Sequence, residues 1–210
     1  AYRKLRTKDK KRYMLSVSLS YDITDWLNIS GRVRVDNSST KYEQKLYASS
    51  NTTLTEGSAQ GFYAISKPDE TQVYADALAN INKRLGDYSI VVNIGASIVD
   101  NKYDELSYRG PIRANGIPDV FNVFDLDNTQ KKARQDEWEE QTQSIFASAE
   151  VGWKSMLYLT LTGRNDWASQ LANSSSTCFF YPSIGLSAVV SEMVKLPSFV
   201  DYLKVRSSFS

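Results

Sequence analysis

"MLYLTLTGRNDW", residues 156–167, places a leucine at every second position before the pattern breaks. Leu157, Leu159 and Leu161 point one way, and Tyr158, Thr160, Thr162 and Arg164 point the other. That is the period of two expected of a β-strand with one greasy face. The rhythm stops at Arg164, Asn165, Asp166 and Trp167, where the chain enters a loop rich in Asn and Ser. An arginine beside an aspartate and a tryptophan could grip a ligand, so an active site is the first reading to test.

The composition argues against catalysis. There is no histidine, so the commonest general base and the commonest metal ligand are both missing. One cysteine, Cys178, allows neither an internal disulfide nor a cysteine-based zinc site, and it has no histidine to activate it. Asp125 and Asp127 have calcium-loop spacing, but Gln130 stands where the loop glycine belongs and Asp136 where the final glutamate belongs. Glu139 and Glu140 point to opposite sides of a strand, which does not make a hydrolase dyad. No enzyme, metal or cofactor is expected. Lys and Arg number 25 against 24 Asp and Glu, a formal charge of +1, so no nucleic-acid partner is expected either. The basic run "RKLRTKDKKR" at 3–12 reads as a solvated terminus or loop. Neither a leader peptide nor a membrane helix is visible, as would also hold for a mature or truncated chain. The slightly polar mean hydropathy decides nothing, because in a transmembrane barrel only alternate residues meet lipid.

Outward from 156–167 the same period recurs. Tyr13, Leu15, Val17, Leu19 and Tyr21 alternate with polar residues, as do Leu27, Ile29, Val33 and Val35 against Asn28, Ser30, Arg32 and Arg34. Val73 to Ile81, the stretch "YSIVVNIGASIVDNKY", Ile145 to Trp153, Ile184 to Val190, and Leu203 to Phe209 continue it. About eight strands result, many near the roughly 9–11 residues that a tilted strand needs to cross a bilayer. Short links such as "DITD", "KRLGD" and "KS" alternate with long polar segments at about 37–70, 104–139 and 168–178, and a further turn covers 192–201. Long loops on one side and short turns on the other are expected of an outer-membrane barrel. A soluble carbohydrate-binding β-sandwich is the competing reading, since its strands also alternate. Strand length, aromatics near strand ends and the one-sided loops favour the barrel. Register follows from magnitude: a one-residue slip of 27–35 would turn Arg32 and Arg34 to lipid, at roughly 2–4 kcal/mol each near the midplane.

"LTGRNDWASQL", followed by "FFYPSIGLSAVVSE" and "LPSFVDYLKVRSSFS", resembles the SusC/RagA family of TonB-dependent outer-membrane transporters of Bacteroidota. "YDITDWLNISGRVRVD", "GDYSIVVNIGASIVDNKYD" and "PDVFNVFDL" add to the likeness, which spans most of 13–210. Ala168, where a serine often follows that Trp, and the stretch "SSSTCFF" depart from the pattern. The resemblance implies an all-β chain: an antiparallel transmembrane segment of about eight strands within a larger plugged barrel of the 22-stranded type, its plug domain and remaining strands lying outside this sequence. A complete eight-stranded barrel stays open on length alone. The resemblance further implies active import of glycans or peptides, driven through TonB, with a SusD-like surface lipoprotein as partner and membrane lipid around the wall. In that setting 37–70, 104–139 and 168–178 would be extracellular loops.

Two readings of the opening cluster remain. Arg164 and Asp166 could stabilise the wall while Trp167 anchors at the membrane interface. Alternatively, Arg164, Asp166 and Trp167, with Arg32 and Arg34, contact substrate in the vestibule or lumen.

Overall fold

The leucine row at 157–161 lies in a strand, and seven other strands accompany it. In chain order they are β1 (Lys4–Thr24), β2 (Leu27–Tyr47), β3 (Gly61–Leu85), β4 (Tyr88–Pro111), β5 (Lys132–Trp153), β6 (Leu157–Ala168), β7 (Cys178–Val189) and β8 (Lys204–Phe209). A single helical turn, α1 (Val190–Met193), follows β7. The structure, a computed structural model, describes residues 4–175, 177–194, 197 and 200–210. Expectations for Arg3, for Ser176 and for Lys195, Leu196, Ser198 and Phe199 in the 192–201 turn lie outside the described residues.

All eight strands join one sheet in sequential order, β1 to β8. Across the antiparallel pairs β5–β6 and β6–β7, Ala149, Leu161 and Ile184 fall in one row, and Val151, Leu159 and Leu186 in another. Glu150, Thr160 and Gly185 share the opposite face. This is the register in which the aliphatic rows turn the same way. The soluble sandwich would need a second sheet over that row. Instead the row is open: Leu15 is 67% exposed, Leu19 77%, Leu161 47% and Leu186 54%.

The short link between β5 and β6 is Lys154–Met156; Lys154 and Ser155 have φ of 49° and 58°, both positive, and the Met156 amide donates back to the Trp153 carbonyl at 2.9 Å. At the β3–β4 link, Gly86 supplies the positive φ, 59°. The two links are tied: the Lys154 amide donates to the Asp87 carbonyl at 2.8 Å, and its Nζ lies 3.5 Å from the Asp87 carboxylate.

The long polar segments are shorter than their sequence suggests. Strand β2 runs on to Tyr47 and β3 begins at Gly61, so the connection is 48–60 and not 37–70. Likewise β4 extends to Pro111 and β5 begins at Lys132, which trims 104–139 to 112–131. The basic run is also strand, within β1 from Lys4, and not a loose terminus. One cause explains all three corrections. Where neither face carries an apolar row, a strand is held by its backbone ladder and polar cross-strand pairs, and no alternation marks it. Arg12 donates to both Asp36 oxygens at 2.8 and 2.5 Å, Lys8 lies over the Tyr42 ring, and Asn37 bonds Asp69 and Thr71 at 2.9 and 2.8 Å.

The chain divides into two compact units that share these strands. The first comprises Ala1–Leu15, Val35–Gln72 and Asn101–Glu139, and it has a small core of its own. Ile112 and Leu126, each 1% exposed, pair as an isolated antiparallel bridge. Phe121 meets the edge of Tyr47 at 5.2 Å, and Leu46, Phe62 and Tyr63 are buried. Gly61, with φ 116°, is required there, because a Cβ would sit 2.6 Å from the Leu46 carbonyl. The second unit, Ser16–Arg34, Val73–Asp100 and Glu140–Ser210, carries the open apolar rows and the short turns.

Candidate functional site

Strand parity separates the expected site residues. Arg164 and Asp166 lie two apart on β6 and share its polar face; the Arg164 Nε donates to Asp166 Oδ1 at 2.7 Å, and its Nη2 to the Ser144 hydroxyl of β5 at 3.0 Å. The guanidinium also stands 5.9 Å from the centre of the Phe146 ring. That ring needs Gly95, where a Cβ would approach it to 2.6 Å. Trp167 faces the other side. With Val17, Leu19, Val33, Ile98 and Ile145 it borders an apolar groove of about 790 Å³ floored by Gly31, Ala75, Ala77 and Ala96. The expected trio is therefore not one site: a period of two puts residues 166 and 167 on opposite faces.

Arg32 and Arg34 form a separate cluster on β2 and β3. Arg32 Nε donates to Asp76 Oδ1 at 2.8 Å, and both guanidinium groups lie over the Tyr74 ring, at 5.2 and 5.4 Å. Further polar side chains continue the same face across the second unit. Asn80 donates to Asn93, which donates to the Ser148 hydroxyl at 3.1 Å, and Thr160 donates to Glu150 at 3.2 Å. An ordered polar lining of this kind can offer donors and acceptors to a passing solute.

A further cluster lies in the first unit, where Tyr103, read from sequence as a strand end, meets residues of the segments 37–70 and 104–139 read as loops. Tyr103 of β4 and Trp138 of β5 stack with ring centres 5.4 Å apart and planes 10° from parallel. Two residues beyond Tyr103, Glu105 accepts from the Tyr103 hydroxyl and from the Ser66 hydroxyl, both at 2.6 Å. The ion pair Arg134–Asp136, 2.6 Å, precedes Trp138 on the same side of β5. The bond to Glu105, with burial adding to it, pushes the Tyr103 hydroxyl up to about 12. Hydrogen bonds from Ser66 and then Tyr103 hold the Glu105 carboxyl below its ordinary value. The contact with Asp136 raises the Arg134 guanidinium. The only sequence signal for this group is two-residue spacing, Tyr103 to Glu105 and Arg134 to Asp136 to Trp138, unsupported by any apolar partner row.

The calcium-like spacing resolves into local turns. Asp125 accepts from Arg113 at 2.7 Å and from Asn122, while Asp127 caps Thr129 at 2.8 and 2.6 Å.

No family model matches the chain, and no curated protein matches it. Solved structures do. The RagAB peptide transporter superposes with a TM-score of 0.82 at 12% identity, over 98% of this chain and 23% of that one. The RagAB peptide importer in its open-open state gives 0.81, also at 12% identity, over 98% and 22%. The siderophore receptor PiuA from Acinetobacter baumannii gives 0.55 at 14% identity, over 87% and 30%. The chain thus spans less than a quarter of the length of the RagAB chains it matches. The resemblance first seen in "TGRNDW" and "FYPSIGLS" is met at the level of fold: this chain is an antiparallel β-barrel segment like those of RagAB and the siderophore receptor.

Proposed function

We propose that the chain forms part of the wall of an outer-membrane, TonB-dependent importer of glycans or peptides, with no catalytic role, working with a SusD-like surface lipoprotein. One observation carries the reading. In the second unit one face of the sheet is predominantly apolar and open, and the same parity turns polar at Asn37, Thr71, Asp100 and Gln141, where bonds such as Asn37–Thr71 and Gln141–Asp100 replace greasy side chains. A band of that height fits a hydrocarbon layer bordered by water. Residues 16–24, 27–34, 73–85, 88–100, 140–153, 157–168 and 178–189 cross it, near or somewhat above the roughly 9–11 residues needed.

In this reading Arg32, Arg34, Arg164 and Asp166 face the lumen, positioned to contact a solute, and Trp167 is an interface anchor. The connections 48–60, 112–131 and 169–177 are extracellular and available to the lipoprotein. The neighbours in fold are a peptide importer and a siderophore receptor, which supports uptake as the activity. Spin labels at positions 157, 159 and 161, read in bilayers against labels at 160 and 162, test it. Lipid-soluble oxygen should relax the first set and a water-soluble nickel reagent the second. Equal response at both sets, or a monodisperse chain without detergent, ends the reading.

A further inference from the structure

We infer that the Tyr103–Trp138 stack is a binding subsite for a neutral sugar ring. The inference deepens the importer reading and rests on it for the supply of saccharide. The stack covers one side of the indole, yet Trp138 remains 48% exposed, so an aromatic face stays open to solvent. Trp138 borders an open groove of about 440 Å³ lined by Tyr103, Glu105, Arg134, Asp136, Glu137 and Trp138 itself. A pyranose presents a face of electron-poor C–H groups that packs on the negative face of an aromatic ring, with its hydroxyls at the rim. Around the indole those hydroxyls would meet carboxylates that accept and a guanidinium that donates in a fixed fork.

The polar groups are held before any ligand arrives. Glu105 is fixed by Ser66 and Tyr103, and Arg134 is fixed by Asp136. Preorganised donors and acceptors lower the cost of binding. The indole N–H has no partner among the described residues and adds one more donor at the rim. Charge selects the class of sugar. One guanidinium, Arg134, stands with two carboxylates, Asp136 and Glu105, and this negative balance disfavours uronates, sulfated glycans and acidic peptides. An open groove with one aromatic floor suits a single ring of a longer chain, which is what an importer of oligosaccharides would need at its approach.

The test is tryptophan fluorescence of the full protein in detergent, titrated with maltoheptaose, cellohexaose and mannohexaose, with trilysine and a polygalacturonate oligomer beside them. At least one neutral saccharide should give a saturable change that is absent in Trp138→Phe and unaffected in Trp153→Phe. Calorimetry should show binding weakened about tenfold in Trp138→Ala, as expected for a lost stacking contact, and less in Tyr103→Phe. Heat-modifiable mobility of each variant reports folding, and Glu105→Gln gives a second route to the site if Trp138→Ala does not fold. No saturable response to any of the neutral saccharides overturns the inference, as does one that Trp138→Ala and Glu105→Gln both leave intact. A response to trilysine alone assigns the groove to cationic peptides, which removes the sugar and leaves the importer standing. Failure of the importer reading would show instead in the spin-label contrast.

Discussion

Tyr103 and Glu105 share a proton-sensitive contact whose direction can be worked out for each partner. The tyrosine donates, so the contact favours its neutral form; ionisation would place a phenolate against a carboxylate. Its stabilisation is present below the ordinary tyrosine pKa of about 10 and is lost as pH rises through about 12. The carboxyl is shifted down, so its contribution is present above the ordinary glutamate pKa of about 4.3 and is lost as pH falls through the lower folded value. Following phenolate absorbance against pH, the increment that Tyr103→Phe removes should titrate near 12. Glu105→Gln should lower it toward the ordinary tyrosine value of about 10. An increment already complete near 10 in the unaltered protein would show that the contact does not form. The same scale explains the fate of the opening cluster. Arg164 and Asp166 could be paired from the sequence, since two-residue spacing fixes a shared face. Their partners Ser144 and Phe146 could not, because cross-strand register depends on where the Lys154–Met156 turn closes.

At the level of strands, legibility tracked the open apolar rows. Leu157 to Leu161, Leu15 to Leu19 and Ile184 to Leu186 announced themselves because one apolar face and one polar face impose strict alternation. The extensions 37–47, 61–70, 104–111 and 132–139 did not. Polar side chains such as Asn37, Ser66, Glu105 and Arg134 occupy either parity there, and such strands read as loop although they continue as strand. This is also why the Tyr103–Trp138 stack was hidden, whereas Arg32, alternating with an apolar row, was singled out. The asymmetry between faces makes a prediction for β6. Leu159→Arg, set between Val151 and Leu186, should destabilise the wall by about 2–4 kcal/mol. Thr160→Arg should cost little, because Glu150 stands opposite to pair with it. Denaturant unfolding in lipid vesicles measures both. Equal tolerance would mean that the leucine row does not meet hydrocarbon.

For the whole molecule, the connections fall into two lengths. Those at 48–60 and 112–131 are long, and the turns at Gly86 and Lys154–Met156 are tight. The importer wall proposed above requires the two sets to open to different compartments, with the long connections outside and the short turns toward the periplasm. Phe124, 93% exposed in the 112–131 connection, and Ser155, in a short turn, report on the two sides. With the exposed Cys178 first replaced by serine, a membrane-impermeant maleimide should label Phe124→Cys on intact cells. Ser155→Cys should label only after the outer membrane is permeabilised. The reverse pattern would invert the wall and move the Tyr103–Trp138 groove to the periplasmic side, where it could not be the first contact for an incoming saccharide. Labelling of both positions on intact cells would mean that the strands do not separate two compartments, and a polar face lined by Arg32, Arg34 and Arg164 would then have no lumen to serve.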